Sequence, residues 1–254
     1  MDKPARFTRK ERKSQILHQI NIHSRISFSV LANLLNVSED TIRRDLNDLA
    51  EEKKIMLIKG GAMSISYHRA YGVVPAFAEK KKSVIAQKVV PLLKQGMIIL
   101  IGGGTTIREL LHIMDRDLKC TFITVNPRTA VDLLDLPNAE VILLGGMLSK
   151  FSQMTTGGET VQQISTIHAD LCIMGTNAIH HTAGLTDSDY ETVVVKKAMI
   201  KAAKKLMVVT ISEKLNCLMN YVICQPEAIN YLITELPSSD PKLDPFRNQE
   251  TLII

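Results

Sequence analysis

Two groups of residues in this sequence have types and spacings suited to chemistry, and they lie far apart in the chain. The first is Ser38, Asp40, Thr41, Arg43, Arg44 and Asn47. Arginine can hold a guanine edge with two hydrogen bonds, asparagine can hold adenine, and a serine or threonine hydroxyl reaches a base or a phosphate. Arg25, Lys59 and the cluster from Arg9 to Lys13 could add phosphate contacts, which give affinity without reading sequence. The second group opens with Gly102-Gly103-Gly104-Thr105-Thr106 and continues at Asn126, Gly145-Gly146 and Gly175-Thr176-Asn177. Glycines let the backbone approach a ligand. The free N–H groups of a helix start, joined by the hydroxyls of Thr105 and Thr106, can hold an anion such as phosphate. No Gly-Lys-Ser/Thr follows, so this is not a Walker loop, and the residues that follow, Arg108 and Glu109 among them, break the Gly-x-Gly-x-x-Gly pattern. Glu191, Lys196, Lys197 and Lys214 are the ionisable residues near the same predicted ends. Lysine would favour a phosphate, and one of Lys196 and Lys197 is expected on a solvated helix face.

Other reactive residues point to no chemistry. Cys120, Cys172, Cys217 and Cys224 have no paired metal-ligand spacing, and the first two sit in apolar runs like small core residues. His180 and His181 are adjacent, a poor arrangement for a shared metal. No Ser-His-Asp or Cys-His arrangement is convincing. Neither a catalytic set, a metal site nor a cofactor is expected. The N-terminus lacks an apolar signal core, and no apolar run reaches ~18 residues, so a cytoplasmic protein with no membrane span is expected.

The elements that would position the first group read as a helix-turn-helix. Ile16, Leu17, Ile20 and Ile22 mark an amphipathic helix over 9–22. Ser27 precedes a short helix with Val30, Leu31, Leu34 and Leu35 turned inward. Asn36-Val37 makes a tight connection, and Ser38 caps a third helix. Ile42, Leu46 and Leu49 form one apolar stripe, which leaves Arg43, Arg44 and Asn47 facing out. A β-like run over 55–59 ends in Gly60-Gly61, the ingredients of a wing. Charge agrees: residues 1–61 hold 12 Lys/Arg against 8 Asp/Glu, so +4 of the chain's net +5 lies there. A polyanion partner for that end is expected.

The second group sits in a different pattern. From about residue 77, short apolar strands alternate with helices: helix 79–95, strand 97–101, helix 105–115, strand 120–125, helix 128–135, strand 141–144, helix 159–167, strand 171–174, helix 189–204, strand 206–211 and strand 231–234. This predicts a mainly parallel sheet covered on both faces. Ligands of such sheets bind beyond the carboxyl ends of the strands. The expected organisation is a winged helix-turn-helix domain (mostly α with a small β wing) over 1–62, a linker over 63–76, and an α/β effector-binding and oligomerisation domain over 77–254.

These residues resemble the DeoR-type repressors. The match runs through Leu31-Ala32, Val37-Ser38, 41–46, Leu49 and 60–62. In the second half it continues through Ile85-Ala86, 104–106, 124–126, 144–146, Gly175, 184–186, Glu191, Lys196 and 212–214. The resemblance implies an oligomeric repressor, a dimer or tetramer, that binds double-stranded operator DNA at sugar-utilisation genes. It implies release by a phosphorylated sugar or related metabolite, and an effector domain similar to ribose-5-phosphate isomerase-like folds. This sequence departs from the family at three positions that usually carry acids, which are Gly102, Asn177 and Ile211 here. Three lost carboxylates remove acceptors for sugar hydroxyls, so the ligand specificity is expected to have moved. Two alternatives stay open at this point: an isomerase-like enzyme with a DNA-binding appendage, and a constitutive DNA-binding protein whose sheet domain only oligomerises it.

Overall fold

The computed structural model describes residues 7–23, 25–65, 77–248 and 250–254. They form two compact units, divided between Phe77 and Ala78. Residues 66–76, most of the expected linker, lie outside the described residues.

The N-terminal unit runs α1 (Arg9–His23), β1 (Arg25–Ser27), α2 (Phe28–Leu35), α3 (Glu39–Glu51), β2 (Ile55–Ile58) and β3 (Gly61–Ser64). Local chemistry sets the boundaries. Ser27 caps α2 by accepting from the Val30 N–H, and Asn36 ends it in the left-handed region, φ 51°. Ser38 caps α3 by accepting from the Thr41 N–H. Ile16, Ile20, Leu31, Ile42 and Leu46 are wholly buried and hold the three helices together. Leu34, expected to face inward, is 54% exposed, and Ala32 takes the buried place instead. The wing is a three-stranded antiparallel sheet in the order β1-β3-β2. Met63 and Ser64, assigned to the linker from sequence, belong to its central strand, where both are buried.

The C-terminal unit is built on a seven-stranded sheet whose pairings are all parallel. In chain order its elements are α4 (Glu79–Val89), β4 (Ile98–Ile101), α5 (Thr105–Ile113), β5 (Thr121–Thr124), α6 (Pro127–Leu133), β6 (Glu140–Leu143), β7 (Met147–Leu148), β8 (Thr155–Thr156), α7 (Gly158–Ser165), β9 (Leu171–Gly175), β10 (Ala178–His180), β11 (Gly184–Asp187), α8 (Tyr190–Lys201), β12 (Leu206–Val209), β13 (Tyr221–Cys224), β14 (Tyr231–Ile233) and β15 (Leu252–Ile253). Pro91 converts the end of the helix expected over 79–95 into a separate 3-10 turn, Val90–Leu92. The large sheet has the order β15-β14-β12-β9-β4-β5-β6. The chain moves outward through β4, β5 and β6, then returns to place β9 on the other side of β4. In open parallel sheets such a reversal, here at the carboxyl ends of β4 and β9, is where ligands bind. Leu100, Cys172, Val208 and Leu232 from the strands pack with Ile164, Val193 and Met199 from α7 and α8 in one core. A smaller antiparallel sheet, β10-β11-β13, was not anticipated from sequence.

Candidate nucleic-acid interface and effector site

The outer face of α3 carries the first group of candidates. Asp40, Arg43, Arg44 and Asn47 are exposed, opposite the stripe of Ile42, Leu46 and Leu49. Arg43 is braced: its guanidinium lies 4.2 Å over the Phe28 ring and 3.5 Å from Glu39. The Ser38 hydroxyl is partly committed, to the Thr41 N–H and, at 2.9 Å, the Thr41 hydroxyl. Lys59 is exposed at the β2–β3 turn, where Gly60 adopts φ +85°. Arg25 lies on β1, half-buried. The Arg9–Lys13 cluster, read from sequence as phosphate-facing, is largely engaged within the fold. Arg12 holds the buried Asp45 with contacts of 2.5 and 3.2 Å, Arg9 reaches Asp48, and Lys13 bridges Asp48 and Glu52. Asp45 falls on the buried side of α3, and a carboxylate there requires a cation.

The strand ends of the large sheet hold the second group. Gly104 adopts φ +119°, which suits glycine, and starts α5. The hydroxyls of Thr105 and Thr106 make no hydrogen bond among the described residues. A Cβ at Gly103 would lie 2.4 Å from Nδ2 of Asn126, so glycine is required there for space. Asn126 is engaged at both ends of its amide: its oxygen accepts from the Thr129 N–H, and Nδ2 donates to the Gln153 carbonyl. Gly145-Gly146 has a structural account. Gly145 bonds Gln163 and Thr160, and a Cβ at Gly146 would lie 2.0 Å from the Thr160 hydroxyl. Gly175 ends β9, with space for an ordinary Cβ contact 3.5 Å from the Gly103 carbonyl.

Beside β9 and β12 lies an ionic network. Lys196 Nζ donates to Asp187 Oδ2 at 2.7 Å, and Asn177 Nδ2 donates to Asp187 Oδ1 at 3.0 Å. Lys214, in the 3-10 turn Ser212–Lys214 after β12, donates to the Thr176 carbonyl at 2.6 Å. Burial first, then the charges of Lys82 and Lys196, pulls its ammonium down to about 7. Lys82, buried on α4, is pulled by burial down to about 8, against the opposing pull of Glu109 and Glu213.

The structure therefore brings Asn177, Lys196 and Lys214 together, leaves Lys197 exposed, and leaves Glu191 exposed on the first turn of α8, outside the network. The carboxylate of the network is Asp187, 1% exposed, which sequence reasoning missed. Its signal was faint, an acid closing the short Gly184–Asp187 run. Lys82 was missed too, although it shares a stripe with Ile85, Ala86 and Val89, a spacing that buries it. Among the described residues no cluster of His, Cys, Asp and Glu could hold a metal, and no helix is long and apolar enough to cross a membrane.

Comparison with known proteins agrees with this two-part architecture. Residues 12–68 match the DeoR-like helix-turn-helix domain, and residues 78–236 match the DeoR C terminal sensor domain. The chain is 30% identical over 230 residues to the HTH-type transcriptional regulator GolR of Listeria innocua, covering 89% of this chain and 90% of that one. It is 29% identical to the HTH-type transcriptional repressor GlcR of Bacillus subtilis, covering 89% and 88%. It is 30% identical to the glycerol-3-phosphate regulon repressor of Escherichia coli, covering 78% and 80%. Among solved structures it is similar to ribose 5 phosphate isomerase A from Neisseria gonorrhoeae, at 16% identity and a TM-score of 0.39 over 53% of this chain and 52% of that one. With both of its parts matched along most of their length, the chain belongs to the DeoR family of DNA-binding transcriptional regulators.

Proposed function

We propose that this protein represses carbohydrate-utilisation genes and is released from its operator by a phosphorylated metabolite. The observation that carries the reading is the exposed set Arg43, Arg44 and Asn47 on α3, one helix face away from the buried stripe, with Lys59 on the adjoining wing. In this reading α3 enters the major groove, where Arg43, Arg44, Asn47 and the first-turn residues Asp40 and Thr41 meet base edges. Ser38, Arg25 and Lys59 hold phosphates. The repressor names of the relatives support the sign of regulation and the class of genes.

The effector half of the reading rests on Gly103 to Thr106, with Thr176, Asn177, Lys196 and Lys214 around the same strand ends. An anion there would meet free N–H groups, two unengaged hydroxyls and a cation. We read the site as a binder rather than an enzyme. Proton transfer needs a carboxylate or histidine that can reach substrate, and Asp187 is held by Lys196 and Asn177. A dimer or tetramer fits this reading, since a recognition helix reads one half-site and symmetric operators carry two.

The test is genomic footprinting of the bound sites, followed by release assays on one mapped operator. Footprints upstream of sugar-uptake or sugar-breakdown genes, and dissociation by a sugar phosphate, are expected. Binding that no phosphorylated metabolite alters would overturn the effector half, and the absence of discrete footprints would overturn the operator half.

A further inference from the structure

The large sheet ends on β6, and β6 is an open edge. The Glu140 N–H donates to the Cys120 carbonyl at 3.0 Å and the Leu144 N–H to the Thr124 carbonyl at 2.9 Å, so the even-numbered residues bond β5. Val141 and Leu143 therefore turn their N–H and C=O groups the other way, where no strand follows among the described residues. Such an edge is a template for a further strand, and proteins usually blunt it with shortness, charge, proline or a bulge. The opposite edge of the sheet is blunted, because β15 is only two residues long. β6 is not. From Val141 to Ser149 the chain carries neither a charged residue nor a proline. Glu140, at the start of β6, accepts from the Thr121 hydroxyl on the β5 side at 3.1 Å.

The side chains around this edge are apolar and open. Ile142 and Leu143 are each 46% exposed. Val131 on α6, which packs on β6, Leu134 just after it, and Met147 and Leu148 of β7 are 56–70% exposed. Together these six leave on the order of 600 Å² of apolar surface open, the upper end of what a typical monomer shows in one patch. A standard interface takes about 800 Å² from each partner, about two-thirds of it apolar in homodimers. The patch is thus the size of one half of a stable dimer. An unpaired strand edge is completed by another strand, and a second copy of this chain supplies one. Its lack of charge suits self-pairing, since no like charges are brought together across a two-fold axis.

We infer that β6 pairs antiparallel with β6 of a second copy, about a two-fold axis at Ile142, and so continues the large sheet from one subunit into the next. With the axis there, Val141 of each copy exchanges backbone hydrogen bonds with Leu143 of the other, and Ile142 lies directly across from its own copy. Glu140 then lies across from Leu144 rather than from a second Glu140. The choice of a second copy as the occupant rests on the reading of α3 as the reader of one half-site, which calls for a two-fold pair.

The test is the mass of the full-length protein by sedimentation at micromolar concentration, for wild type, Ile142→Lys and Ile142→Glu, with folding checked by melting curves. Wild type is expected as a dimer or tetramer. Each variant sets like charges directly opposite one another and is expected to halve that mass. An equimolar mixture of the two variants, in which lysine faces glutamate, is expected to recover it. Ile142→Cys is the milder variant. Its two copies stand within disulfide reach across the axis, so mild oxidation is expected to give a cross-linked dimer that wild type does not give. A monomeric wild type, or charge variants that keep the wild-type mass, would overturn the inference. A mixture that stays at the lower mass, or no cross-link in Ile142→Cys, would overturn the axis at Ile142. Operator release by a sugar phosphate, followed in parallel on wild type, keeps the outcomes separate: a monomer that still binds and is released would overturn the pairing and leave the proposed function standing.

Discussion

At the scale of single residues, exposed arginine on α3 does different work from buried carboxylate on the same helix. Arg43 is held over Phe28 but stays open to solvent. Arg43→Ala is expected to weaken operator binding by about 1–3 kcal/mol and relax specificity, whereas Lys59→Ala should weaken all duplexes alike and lower the salt slope by about one. Fluorescence anisotropy on the operator and a shuffled duplex, across a salt series, separates the two, and equal losses on both duplexes for Arg43→Ala would remove it from base contact. Asp45 faces inward to Arg12. Asp45→Asn strands that guanidinium in a partly buried place, and a loss of about 2 kcal/mol in urea unfolding is expected. The distinction was half legible. The stripe of Ile42, Leu46 and Leu49 showed which face is outward, but Asp45 and the cations that answer it come from helices 30 residues and more apart in sequence, and no local pattern links them.

At the scale of elements, the wing separates two uses of glycine. Gly60 adopts φ +85° with open space around it, so Gly60→Ala carries only backbone strain, about 1–2 kcal/mol. At Gly61 a Cβ would lie 2.2 Å from the Ile26 carbonyl oxygen. Gly61→Ala has to part β1 from β3 and is expected to cost more than its neighbour, about 3 kcal/mol or above. Thermal unfolding of the two variants decides the order, and equal losses would contradict the close β1–β3 approach. The Gly60-Gly61 pair was visible in the sequence as a turn. The pairing of β3 with β1 was not, because it joins residues separated by two helices. The β10-β11-β13 sheet escaped for the same reason: its strands are three or four residues long and β13 pairs across the whole of α8 and β12.

At the scale of the molecule, the cations at the strand ends make ligand affinity depend on pH. Lys214 stands at about 7 and Lys82 at about 8, each held down chiefly by burial. An anion binds the protonated forms, so affinity for a phosphorylated probe is expected to fall as pH rises through 7 to 8. The unliganded protein should do the opposite. Its folded lysines shed protons near 7 to 8, whereas the unfolded chain keeps them to about 10.5, so stability rises with pH across that window. The titratable groups facing this cluster, Lys196, Asp187, Glu79, Glu109, Glu213, Arg108 and Cys217, are the neighbours whose replacement would move it. Titration calorimetry and thermal unfolding from pH 6 to 9 check both signs, and parallel trends would contradict the assignment.

The sequence alone determined the local features of this protein: capped helices, the outward arginines of α3, the Gly60 turn, and parallel strands ending in glycine at the β4–α5 junction. Each of these is governed by neighbours within a few positions, through backbone geometry and the side-chain period of helix or strand. Only the tertiary structure decided which cations are spent on Asp45, Asp48 and Glu52, and which carboxylate answers Lys196. It also decided that Gly145-Gly146 serves the packing of Thr160, while Gly103 and Gly175 meet at the switch between β4 and β9. Those outcomes are set by which strands adjoin in space and by the cost of burying a charge without its partner, and neither is written in the spacing of residues along the chain.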